Sequence, residues 1–243
     1  PLYKDNETKS FVDELLQLIS DKSPNYPEIT RLPNQDGHLL IINPADIHLG
    51  KLASAFETGD DYNTEIAIQR VKDGVNGIIE KSKGFNIEKI IFVGGNDILH
   101  VDTPKATTTA GTFQNTDGIW YDNYIKAFKL YTEVLEILIP IADVHFVYCP
   151  SNHDYTNGFF LCQSVEQYFR QNNNITFDTS IAHRKYYNYG LNIIGFTHGD
   201  GAKQTDLPLL MAHESPDWGK CKHRYIYTHH LHYKTAKDFM SVC

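Results

Sequence analysis

The chain has 243 residues, of which 41% are apolar and 21% charged, and carries a formal net charge of −8. That length buries a full α/β core, and the composition excludes disordered and fibrous classes. No run approaches eighteen apolar residues, so no membrane span is expected, and the acidic balance argues against a surface that coats nucleic acid non-specifically.

In chain order, residues 1–36 read as a helix and linker. Phe11, Leu15, Leu16 and Ile19 recur at helical spacing, and three prolines follow in SPNYPEITRLPNQDG. The N-terminus shows no basic-then-apolar leader. It also lacks an initiator Met, and the chain stops at Cys243, so it reads as a piece of a longer protein with possible flanking domains. From residue 37 a rhythm begins. HLLIIN is a strand, 63–83 a helix, KIIFV a strand, and NYIKAFKLYTEVLEILI a helix stopped by Pro140. VHFVYC is a third strand and FFLCQSVEQYF a helix, while KYYNYGLNIIGF reads as a hairpin and YIYT as a last strand. Alternation followed by a hairpin places the chain in the α/β class, with a mixed sheet or two packed sheets.

Cys149, Cys162, Cys221 and Cys243 have neither C-x-x-C spacing nor disulfide-scaffold density. Reduced thiols in a cytoplasmic protein are the simplest reading.

Each strand is followed by a polar set. HLLIIN leads to Asp46 and His48, KIIFVGG to Asn96, Asp97 and His100, and VHFVYCP to Asn152, His153 and Asp154. NIIGFT leads to His198 and Asp200, and YIYT to His229, His230 and His232. Sites in open α/β sheets form outside the carboxyl ends of strands. Carboxylate, amide and imidazole without thiolate suit Mn, Fe or Zn. In Asp46-x-His48 and His230-x-His232 the period of an extended chain sends both side chains to one side, which turns His229 away as a bystander.

This order, D-x-H, Asp97, N-H-D, His198, H-x-H, resembles the calcineurin-like metallophosphoesterase superfamily over residues 46 to 232. DIHLG and NDILH are closest to its Mre11/SbcD-type nuclease branch. The resemblance implies a metallophosphoesterase domain over 37–243, a four-layer α-β-β-α sandwich of two mixed sheets flanked by helices. It also implies two divalent metal ions, Mn²⁺ first with Fe or Zn as alternatives. Asp46, His48 and His232 would hold one ion and Asn152, His198 and His230 the other, bridged by Asp97. Asn152 and His153 would meet the substrate phosphate, and His153 and His100 would serve catalysis. Asn96, Ser151 and His229 stand where the family usually has glycine. The activity implied is phosphodiester cleavage of DNA by a metal-activated hydroxide. A phosphomonoesterase, a small-nucleotide phosphodiesterase and a decayed metal-binding assembly protein are the alternatives.

Asp154 and Asp200 flank ligands and are candidates for orienting them. The Thr-rich 104–118 loop wraps substrate or covers the site. His145, His183 and His213 read as structural, Lys220, Lys222, His223 and Arg224 as a solvated basic loop, and Tyr186, Tyr187 and Tyr189 as hairpin packing.

Overall fold

A computed structural model describes residues 26–32 and 36–231. The helix expected over 11–19 and the ligand candidate His232 lie outside the described residues. Four strands, β1 (His38–Ile42), β2 (Ile87–Gly95), β3 (Asp143–Cys149) and β4 (Ile175–Asp178), pair in the order β1-β2-β3-β4. Every pairing is parallel. The mixed first sheet expected from sequence is therefore corrected to an all-parallel one. Parallel neighbours need a crossover, and each connection supplies a helix. These are α1 (Ala55–Thr58) with α2 (Thr64–Ser82), then α3 (Trp120–Leu138), then α4 (Tyr155–Tyr168).

The second sheet has three strands, β5 (Lys185–Tyr189), β6 (Asn192–Phe196) and β7 (His223–Tyr227). It is mixed: β5 and β6 form the antiparallel hairpin, while β7 runs parallel to β6 after α5 (Leu207–Glu214) crosses between them. No helix among the described residues is long and apolar enough to cross a membrane.

Period-two alternation explains the core. Ile90 and Phe92 of β2 face Leu130, Tyr131 and Leu161 of the helices, whereas Ile91 and Val93 turn to the other side and meet Ile194 and Phe196 of β6. A strand covered on both faces reads as an unbroken apolar run, which is why KIIFV stands out in the sequence. Ile193 and Ile226 pack on Met211 of α5 behind the second sheet. Tyr187 and Tyr189 join the layer between the sheets, and Tyr186 joins the one behind. Cys149, Cys162 and Cys221 are buried free thiols, and burial pushes Cys149 up to about 12, which keeps it unreactive.

Two glycines end β2. A Cβ on Gly94 would meet the Phe146 ring at 2.4 Å, and one on Gly95 (φ +77°) would meet the Cys149 carbonyl oxygen at 2.2 Å. Gly95→Ala is therefore expected to lose at least about 1–3 kcal/mol in denaturant melts, the usual cost of one strained backbone residue. Gly77→Ala, in α2 with nothing within 4 Å of its Cβ, should instead gain up to about 1 kcal/mol.

Candidate metal centre

The loops after β1 and β2 are zipped together beyond the strands. The Asp46 N–H donates to the Asn96 carbonyl (2.8 Å), His48 N–H to that of Asp97 (2.9 Å), and Leu49 N–H to that of Ile98 (2.8 Å). This pairing turns the chain sharply. Among the described residues six non-glycines have left-handed backbone, and five of them are Asp46, His48, Asn96, Asp97 and His230. Such residues cost about 1–3 kcal/mol each and persist where the surroundings over-determine them, characteristically at functional sites. Asn96, next to the hub of the site, adopts φ 53°.

Asp97 is the hub. It is almost fully buried, its Oδ1 accepts the His153 backbone N–H (2.9 Å), and its Oδ2 lies 3.2 Å from His198 Nε2. Two ligand groups meet on it: Asp46, His48 and Asp97 have ligand atoms within 4.8 Å of one another, and so do Asp97, His198 and His230. Asn152 joins the second group, its Oδ1 3.0 Å from His198 Nε2. The donor set fits divalent cations. Carboxylate, imidazole and amide oxygen converge on one buried carboxylate, and the fully buried His198 keeps Nδ1 without a hydrogen-bond partner among the described residues.

Electrostatics hold these groups ready. Burial pushes the Asp97 carboxyl up, but the hydrogen bond and charge of His198 outweigh it and keep it below its usual range. Burial pulls His198 down, and Asp97 more than reverses this, leaving it raised. His100 is pushed down to about 4, by burial first and then by the His153 and Lys51 charges, so its imidazole is neutral at ordinary pH.

His153 sits between His48 (ring centroids 4.5 Å) and His100 (5.5 Å, stacked). Its Nδ1 is 3.0 Å from the His100 carbonyl oxygen, which can only accept. Nδ1 must therefore carry its proton, leaving Nε2 for chemistry. A third ligand-type group, His48 with His100 and His153, results from this packing.

Asp154 is buried, takes the Leu99 N–H (2.8 Å) on one oxygen and the Ser151 hydroxyl (2.7 Å) on the other. Burial, and then the Asp97 charge, push it up to about 7. Ser151 Oγ in turn accepts the Asp97 N–H (2.7 Å), so this hydroxyl braces the hub. Asp200 is exposed and reaches His198 through charge alone. His229 is in none of the groups of described residues that could hold a metal ion. Its N–H donates to the His198 carbonyl (2.8 Å), and its partly buried ring is pushed down by burial while feeling Asp46 and His198. The left-handed backbone at His230 breaks the extended geometry that the period-two expectation assumed.

Asp102 was invisible in sequence. Its carboxylate accepts from Thr156 N–H (3.1 Å), Asn157 N–H (2.7 Å) and Thr109 Oγ1 (2.9 Å), fixing the start of α4 to the His100 loop. Thr109 Oγ1 also accepts the Tyr155 N–H (3.1 Å), so the Thr-rich loop is pinned beside the site. His145, His183 and Arg224 have local partners. His145 Nδ1 lies 2.9 Å from Thr176 Oγ1, His183 stacks on Tyr155, and Arg224 lies over Trp218. Compared with family models, curated proteins and solved structures, the chain finds no match.

Proposed function

We propose that this chain is a two-metal phosphoester hydrolase, a phosphodiesterase acting on nucleic acid, in the manner of the metallophosphoesterases it resembles. The observation that carries the reading is Asp97 shared between two ligand groups. The helix–sheet–sheet–helix order of the packed clusters agrees with a four-layer sandwich. Asp46 and His48, with His232, would hold one ion, and Asn152, His198 and His230 the other.

Paired divalent cations supply Lewis acidity and lower the pKa of water beside the phosphorus. The residues do the rest. Asp97, which belongs to both groups, would be the carboxylate the two ions have in common. The His100 carbonyl holds His153 Nδ1, which leaves Nε2 as the nitrogen that would give a proton to the leaving oxygen as the water oxygen bonds to phosphorus and the old P–O bond breaks. Neutral His100, stacked on His153, adds no competing charge.

The test loads the protein with Mn²⁺, counts bound metal by elemental analysis, and offers bis-p-nitrophenyl phosphate, p-nitrophenyl phosphate and labelled linear DNA. Two equivalents of metal with diester and DNA cleavage is the expected result. Preference for the monoester moves the assignment to a phosphomonoesterase. Silence with metal bound removes the enzyme, and absence of bound metal removes the site.

A further inference from the structure

A cavity of about 480 Å³ opens beside Asp46 and His48, floored by the apolar face of α2, including Val71, Val75 and Ile78. Its volume lies in the range of small-molecule sites. At its mouth two cations share one aromatic ring: the Lys51 ammonium is 5.9 Å and the Arg70 guanidinium 5.3 Å from the Tyr62 centroid. The Tyr62 hydroxyl donates to the Ile47 carbonyl, which fixes that ring against the loop carrying Asp46 and His48.

Neither cation makes an ion pair among the described residues, although Asp and Glu outnumber Lys and Arg in the chain, 30 to 22. Both side chains line the same cavity, so two positive charges without a carboxylate partner among the described residues border one space, and an anion entering it would be attracted by both. The acidic group lining the cavity, Asp46, belongs to the proposed metal centre, where bound cations would offset its charge.

We propose that Lys51 and Arg70 seat a second phosphate, next to the scissile one, and that the α2 cavity takes the base of the same nucleotide unit. The site thus selects an oligonucleotide over an isolated phosphodiester. Cations give the phosphate charge-assisted hydrogen bonds, and the apolar floor accepts a flat ring without asking for particular base edges. This rests on the phosphodiesterase reading and deepens it by naming the residues that would hold the nucleotide unit beside the scissile phosphate. It also locates a nucleic-acid grip on an acidic protein: a local cationic pair, with no basic surface required.

The test follows fluorescein-labelled tetrathymidylate by anisotropy on Mn²⁺-loaded protein in a His153→Ala background, where turnover should be slowed at least about a hundredfold. It also follows kcat/KM on bis-p-nitrophenyl phosphate and on the oligonucleotide in the active protein. Lys51→Gln and Arg70→Gln should each weaken tetrathymidylate binding about tenfold or more, as loss of a charged hydrogen bond does. Gly74→Leu, which fills the cavity from a helix position with nothing within 4 Å of its Cβ, should weaken it as well. In each variant the loss on the oligonucleotide should exceed any loss on bis-p-nitrophenyl phosphate by about tenfold. Lys126→Gln, an exposed α3 lysine, should change neither. Unchanged tetrathymidylate affinity in the Lys51/Arg70 double variant overturns the proposal, as does unchanged affinity in Gly74→Leu. Failure of the parent protein to cleave any phosphodiester would be a failure of the enzymatic reading, which the anisotropy does not depend on.

Discussion

Asp97→Asn should leave the fold intact and remove nearly all turnover. The amide has the shape of the carboxylate and can still accept the His153 N–H, so the loops around the hub keep their pairing. What is lost is the one negative charge that both ligand groups use. Groups that merely orient a ligand are worth about ten- to a hundredfold in metal affinity. A ligand shared by two positions should cost more than about a hundredfold for at least one of them. Elemental analysis after dialysis should find one equivalent or less per chain, and diester hydrolysis should fall to background. Retention of two tightly held ions with normal turnover would remove Asp97 from its central role.

His153→Ala should separate binding from chemistry. The imidazole is not one of the seven ligands assigned here, and its backbone N–H, which the variant keeps, is the group that touches Asp97. Two metal equivalents should remain. Loss of a general acid costs about a hundredfold to ten-thousandfold, read in kcat more than in KM. A substrate with a good leaving group, such as p-nitrophenolate, needs less protonation. The deficit should therefore be smaller on bis-p-nitrophenyl phosphate than on DNA. Equal deficits on both substrates would argue that His153 stabilises charge on the phosphoryl oxygens instead. Full activity would discard the assignment.

Much of the fold was readable because strands buried on both sides announce themselves, as KIIFV and VHFVYC do. Other elements were hidden for physical reasons. β4 has four residues after an asparagine run, too few to show alternation. α5 begins Leu-Pro and is apolar with almost no sidedness, so helical periodicity cannot reveal it. Asp46, His48, Asp97, His198 and His230 could be picked out as candidates because each follows a strand, and the sheets bring them into groups that could hold a metal ion. The bracing by Asp102 and Ser151 was not legible, since it arises from contacts between loops more than fifty residues apart. The left-handed backbone at His230 cannot be inferred from an H-H-x-H spacing.

The close approach of Gly94 to Phe146 ties interior volume to the turn that follows. The ring is fully buried against Phe92 and Tyr131, and three residues past Gly94 comes Asp97. Any reshaping of this aromatic stack, by mutation or by drift over generations, presses on the hinge point from which the carboxylate is hung. The hydrocarbon interior therefore works as a gauge block for the ionic centre, and neither can be resized without the other.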